Sequence, residues 1–267
     1  MIRRSSRSAL NVWLICLAVV ACTWAIAARH YRGRMLELAR YGMEERRETQ
    51  PLSARYGPSR YSEHNEEWIV RDYFGDRRGG VFLDVGANHY MAASNTYYLE
   101  SSLGWSGVAV DALEEFEADY RHHRPRTQFV AAFVSDKAGD AVNFFVPDKN
   151  KLVASVSEEF TRERGAPGTA REVPTTTLNV LLERAGIRRL DFVSMDIELS
   201  EPKALAGFDL ERYKPSLVCI EAHPEVRQQI IDYFVQRGYT IVAKYLRADA
   251  TNLYFTPVVT ASGEAGV

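Results

Sequence analysis

The first apolar pattern along the chain is continuous rather than periodic. Val12 to Ala28 reads VWLICLAVVACTWAIAA without a charged residue. With Ala9, Leu10 and Asn11 it reaches about the 20 residues that one helix needs to cross a bilayer. Arg3, Arg4 and Arg7 precede the run, Arg29, Arg32 and Arg34 follow it, and Trp13 and Trp24 stand near its ends, where indole favours the membrane interface. Ala25-Ile26-Ala27 has the small-x-small form of a signal-peptide cleavage site, but the run is longer than the usual apolar stretch of about 7 to 15 residues. The expectation is a single-pass anchor over residues 1–30. The flanking charges nearly balance and leave its orientation open. Residues 31–62 are rich in Arg, Glu, Ser and Tyr, are broken by Pro51, Gly57 and Pro58, and hold no sustained apolar period, which predicts a juxtamembrane linker.

From Glu63 the pattern changes to short apolar runs alternating with segments of helical period, the signature of an α/β domain with a mostly parallel sheet. This domain is expected over residues 63–260. A helix is predicted over Glu63–Phe74, closed by Gly75, then a strand over Val81–Gly86 and a helix over Ser94–Leu103 capped by Ser94 or Asn95. Further strands are predicted over Gly107–Ala112 and Gln128–Asp136, around a helix at Leu113–His123. Residues 141–173 are looser, with short strands at NFFV and LVASV and a loop around Gly165 to Gly168. Alternation resumes with helix Thr177–Ala185, strand Leu190–Asp196, helix Pro202–Leu205, strand Ser216–Ala222 and helix Pro224–Arg237. Thr240–Tyr245 and Asn252–Pro257 are close enough to pair as an antiparallel hairpin.

In such a sheet the ligand crevice lies at the carboxyl ends of the strands. There the sequence places Asp84-Val85-Gly86-Ala87-Asn88, then Asp111, Ser135-Asp136, Asp196-Ile197-Glu198 and Glu221-Ala222-His223. Asp and Asn often serve only as caps and turn residues, but a carboxylate after each main strand points to a ligand that carboxylates satisfy. The first loop lacks the glycines of a dinucleotide site and the lysine of a P-loop. That shifts the expectation from a phosphate ligand to a nucleoside cofactor carrying positive charge. S-adenosyl-L-methionine, with its sulfonium, ammonium, ribose hydroxyls and adenine amine, has those groups.

Composition adds mainly exclusions. With 46% hydrophobic and 25% charged residues the chain is neither disordered nor a polytopic transporter. Lys+Arg number 33 against 35 Asp+Glu, a net charge of -2, which argues against nucleic acid as a main partner. Two of the three cysteines, Cys16 and Cys22, lie in the apolar run and Cys219 in a predicted strand, so neither a disulfide nor a cysteine zinc site is expected.

VFLDVGAN (Val81–Asn88), SNTYYLE (Ser94–Glu100), LGWSGVAVDA (Leu103–Ala112), FVSD (Phe133–Asp136), TTTLNVLLE (Thr175–Glu183), LDFVSMDIE (Leu190–Glu198) and NLYFTP (Asn252–Pro257) resemble, in this order, the FkbM-type S-adenosylmethionine-dependent methyltransferases. The resemblance spans nearly everything after the linker. It implies the Rossmann-like seven-stranded class I methyltransferase sheet with an antiparallel last strand. It implies further that Asp84 and Gly86 hold the methionine end of the cofactor, that Asp111 accepts from the ribose hydroxyls, that Asp136 faces the adenine amine, and that Asp196 lies beside the methyl group, with Asn88 and Ser135 also among the cofactor-binding candidates. Glu198, Glu221 and His223 complete the catalytic candidates, His223 having the titration range of a base at neutral pH. The same four groups are also adequate ligands for a divalent cation, although no metal is part of the expectation. Leu199-Ser200 stand where the family usually has glycine and a small residue, and His89-Tyr90 where small residues are common; both changes bear on the acceptor.

The expected function is O-methylation of a hydroxyl on a saccharide, glycolipid or related metabolite. The catalytic domain is expected in the cytoplasm, where S-adenosylmethionine is made. The alternative is a non-catalytic membrane-anchored adaptor that keeps the fold.

Overall fold

The computed structural model describes residues 52–147, 154–165 and 168–258. The chain divides into two compact units, Met1–Arg55 and Tyr56–Val267, and the sheet and the crevice belong to the second. The anchor expected over residues 1–30 lies outside the described residues, as does the linker up to residue 51. Among the described residues no helix is long and apolar enough to cross a membrane.

After a short helix, α1 (Leu52–Tyr56), the elements run α2 (Glu66–Phe74), β1 (Val81–Val85), α3 (Tyr97–Ser101), β2 (Ser106–Asp111), α4 (Glu117–His123), β3 (Thr127–Ala131), β4 (Phe133–Val134), β5 (Ala141–Pro147), α5 (Glu158–Gly165), β6 (Gly168–Thr176), α6 (Leu178–Arg184), β7 (Phe192–Met195), α7 (Glu201–Ala206), α8 (Leu210–Tyr213), β8 (Leu217–Glu221), α9 (Arg227–Gln236), β9 (Tyr239–Ile241) and β10 (Asn252–Pro257). Seven strands form one sheet in the order β3-β2-β1-β7-β8-β10-β9. β1 pairs in parallel with β2 and β7, and β7 with β8, while β10 runs antiparallel to both β8 and β9. This is the expected α/β methyltransferase-type sheet, and the antiparallel strand is the last one, as predicted.

β7 and β8 are buried along their whole length, because helices cover both faces of a parallel sheet. Their apolar side chains join Leu83, Val110, Leu181, Leu205 and Phe234 in the main core. Local signals set the helix ends. Gly75 closes α2 in the left-handed conformation (φ 61°), and the Thr177 side chain caps α6 by accepting from the Val180 N–H. Such a cap is worth about 1 kcal/mol.

Three expectations need correction. The strand predicted over Gln128–Asp136 is two strands: β3 ends at Ala131, and Phe133-Val134 pair with β6 in a separate three-stranded sheet, β4-β6-β5. FVAAFV has no alternation to mark the break; Phe133 packs with Phe144 and Val173 under the small sheet while Val134 joins the main core. β6 was not anticipated, because the first five of its residues are exposed and Val173 is its only residue in the apolar cluster under this sheet. LVASV, of which residues 154–156 are described, contributes an isolated bridge, Ser155 to Phe145, instead of a strand.

The chain winds outward from β1 to β2 and β3, then returns to lay β7 on the other side of β1. The switch point therefore falls between β1 and β7. There Gly86, at φ 80°, is pressed against the main chain after β7: a Cβ on it would lie 1.8 Å from the Asp196 carbonyl oxygen. Only glycine fits this approach.

Candidate active site

A crevice open to solvent lies at this switch point. Gly86, Asn88, Asp111, Asp196, Ile197 and Glu198 supply its strand-end side, and Leu113, Phe133, Phe144 and Ala154 an apolar wall. None of the described lining residues is Lys or Arg.

Asp111 closes β2 with both carboxylate oxygens fixed by backbone. Oδ2 accepts from the Asn88 N–H at 2.9 Å and Oδ1 from the Leu113 N–H at 2.9 Å. Burial raises its pKa to about 6 against the pull of those two bonds. Asn88 reaches this position in the left-handed conformation, φ 46°, which Asn tolerates better than most residues.

Asp84 is placed behind the crevice wall and does not line it. It is 4% exposed, and its Oδ2 accepts from Thr96 Oγ1 at 2.5 Å. Thr96 Oγ1 in turn accepts from Arg124 Nη2 at 3.0 Å, and Arg124 Nε donates to Glu100 Oε2 at 2.6 Å. Glu100 also accepts from the Arg126 N–H and from Thr127 Oγ1. Loss of hydration raises the Asp84 carboxyl above the ordinary range, while Thr96 and Arg124 oppose the shift. Ser135 and Asp136 likewise fall outside the crevice. They line a neighbouring depression with Lys137, Asp140 and Lys203, where Ser135 Oγ donates to Asp136 Oδ1 at 3.0 Å and holds that exposed carboxyl below its usual value.

The remaining candidates do meet. His223 Nε2 lies 3.2 Å from Glu198 Oε2 and 3.0 Å from Glu221 Oε2, and carboxylate oxygens of Glu221 and Asp196 come within 4.8 Å of each other. The Phe160 ring packs edge-on to the imidazole at 5.6 Å. Burial, then repulsion from Asp196 and Glu198, pushes Glu221 up to about 10. Asp196 keeps an exposed edge, but the surrounding protein displaces enough water to raise its carboxyl too, opposed by the neighbouring Glu221 carboxyl and by His223. The turn that presents Glu198 is unusual: Glu198 and Leu199 are both left-handed, at φ 52° and 72°. Each non-glycine residue there costs about 1–2 kcal/mol, and Leu199 is the position at which glycine is usual in the resembling family.

Glu201 belongs to this cluster and was missed. It is fully buried, its Oε1 accepts from the Ile197 N–H at 3.0 Å, and burial lifts it to about 7. The signal was Glu201-Pro202, an acid followed by a proline at a helix start; beginning the helix at Pro202 left Glu201 in a loop. Thr96, Glu100 and Arg124 were missed as well, and nothing in their spacing marks them as one network.

Against known proteins, residues 84–241 match the family model described as the methyltransferase FkbM domain. Among curated proteins the chain is 26% identical over 222 residues, 67% of this chain and 83% of that protein, to the 31-O-demethyl-FK506 methyltransferase FkbM of Streptomyces tacrolimicus. Among solved structures it is similar to a TehB-like methyltransferase from Corynebacterium glutamicum (13% identity, 82% of this chain and 97% of that one, TM-score 0.41). A SAM-dependent O-methyltransferase from Thermotoga maritima is comparable (10% identity, 77% and 69%, TM-score 0.41).

Proposed function

The chain belongs to the FkbM methyltransferase family and is an S-adenosylmethionine-dependent methyltransferase, and we propose that its acceptor is a hydroxyl of a saccharide, glycolipid or related small metabolite. The observation that carries this reading is the crevice itself. Carboxylates of Asp111, Asp196 and Glu198 face an apolar wall, with no cation among its described lining residues. This donor set fits a ligand with ribose hydroxyls and positive charge, and disfavours one with phosphates.

In this reading Asp111, pre-set by the Asn88 and Leu113 N–H groups, holds the ribose hydroxyls, and the backbone around Gly86 and Asn88 lies along the methionine end. Asp84 acts indirectly, by fixing Thr96 at the start of α3. Bound S-adenosylmethionine supplies a methyl group activated by its sulfonium. The protein's part is to orient the acceptor oxygen in line with that group and to take up its proton. Asp196, Glu198, Glu221 and His223, gathered at the ends of β7 and β8, are the groups placed for both tasks. The apolar run at residues 12–28 supports a tether to a membrane, with the catalytic unit on the cytoplasmic side where the cofactor is made.

The test uses the full chain in mild detergent with methyl-labelled cofactor and a cell extract. Label is expected in the polar-metabolite or glycolipid fraction, with release of S-adenosylhomocysteine. Label confined to protein or nucleic acid would remove the acceptor assignment.

A further inference from the structure

Glu198, Glu221 and His223 bring one ligand atom each to within 4.8 Å of one another. His223 Nε2 is central, 3.2 Å from Glu198 Oε2 and 3.0 Å from Glu221 Oε2. A neutral imidazole carries one N–H, so a single ring nitrogen donates to one carboxylate at a time. The hydrogen bond goes to Glu198. Glu221 Oε2 is left without a hydrogen-bond partner among the described residues although its residue is only 7% exposed. A buried carboxylate oxygen in that state is costly, and this one points at the same nitrogen as Glu198 does. Behind it, Glu201 Oε2 is also buried without a partner, in a second group with Asp196 and Glu221.

From this geometry we infer that Glu198, Glu221 and His223 form a binding site for a divalent cation of the Mn²⁺ type. At bond lengths of about 2.1–2.2 Å, neighbouring ligand atoms on one octahedral cation lie about 3 Å apart, which is the separation of Nε2 from the two carboxylate oxygens. Two carboxylates with one imidazole suit Mn²⁺ better than Mg²⁺, which favours all-oxygen sets. The cation takes the place of a proton at Glu221 Oε2, which is released to solvent, and lowers the repulsion among the carboxylates. Three protein ligands leave positions open on the crevice side, beside Glu198, which lines it. Two oxygens on adjacent carbons fill such positions by chelation, so the site selects a vicinal diol as acceptor and holds the hydroxyl to be methylated. This acceptor assignment rests on the methyltransferase reading; the cation site does not.

The experiment is a Mn²⁺ titration of the EDTA-treated full chain in detergent, read by the loss of the free-ion EPR signal. S-adenosylmethionine binding is measured in parallel by calorimetry. One Mn²⁺ per chain is expected, with affinity reduced at least tenfold in Glu221→Gln and His223→Ala and unchanged in Asp119→Asn, an exposed carboxylate on α4. Nitrogen ENDOR of the wild-type complex should show a single imidazole nitrogen on the ion, a readout that does not depend on whether either variant folds. Absence of Mn²⁺ binding while the cofactor still binds overturns the cation site and leaves the methyltransferase reading standing. Binding that survives both substitutions, or an ion without an imidazole nitrogen, also overturns it. Loss of cofactor binding in the wild type would count against the reading of the crevice instead.

Discussion

Asp84, Glu100 and Asp111, around β1 and β2, are each met by donors: a threonine hydroxyl, a buried arginine, and backbone N–H groups. Asp196, Glu198, Glu201 and Glu221, around β7 and β8, are packed chiefly against one another and one histidine. The two regions flank the same switch point and use the same residue types. Low dielectric strengthens a satisfied polar network and penalises an unsatisfied one, so the first region is satisfied as folded, while the second keeps two buried oxygens, Glu201 Oε2 and Glu221 Oε2, without hydrogen-bond partners among the described residues. A carboxylate at a strand end can belong to either region, and its partners, not its position, decide which.

Breaking the first region should have the largest effect. Arg124 is 1% exposed, and Arg124→Met leaves Glu100 buried without its charge partner, a change that costs about 3–5 kcal/mol. At about 2–4 °C per kcal/mol for a domain of this size, thermal melting should fall by roughly 6–20 °C; a drop of only a degree or two would show that the network is not holding the fold. Next is Asp111→Ala, which removes charge-assisted bonds worth about 1.5–3 kcal/mol. Calorimetry should show the cofactor bound about 10- to 150-fold more weakly, and unchanged affinity would take Asp111 out of the ribose site.

The second region is sharpened by pH. Glu221 titrates at about 10 when folded, against an ordinary 4.5, so the folded chain keeps a proton that the unfolded chain releases. Its stabilising contribution is full below pH 4.5 and is lost as pH rises through 10. In EDTA, the melting temperature should decline across that window. Glu221→Gln should flatten the decline at its upper end, leaving the part due to the other carboxyls that burial raises, among them Glu201 at about 7 and Asp111 at about 6. An equal slope in the variant would contradict the assignment. The smallest effect is expected at a side-chain hydrogen bond that crosses between the two regions, from Asn95 Nδ2 to Ser194 Oγ at 2.9 Å. Asn95→Ala should cost about 1 kcal/mol in denaturant unfolding, with no change in the pH slope.

The sheet was largely legible in the sequence, since strands buried on both faces are continuous apolar runs, as in LDFVSM and SLVCIEA. What escaped notice lacked that signal: β6, paired through its backbone, and α8, a single turn at Leu210–Tyr213 capped by Asp209. For the site, strand-end position brought Asp111, Asp196, Glu198, Glu221 and His223 to one edge. It did not distinguish Asp84, which the Thr96–Arg124 network turns away from the crevice, or Asp136, which β4 carries into the neighbouring depression. Those distinctions depend on contacts between residues far apart in sequence, which no spacing rule contains.

The small sheet β4-β6-β5 has its own apolar cluster of Leu113, Phe133, Phe144, Val146, Ala154 and Val173, separate from the core under the seven strands. Phe144 and Ala154 wall the crevice from this sheet, and Phe160 on α5 touches His223. The segment between β4 and α6 can therefore change in length and lining without disturbing the strands that fix Asp111 and Gly86. The lining of the crevice is in this sense modular: a replaceable cover set over a fixed frame.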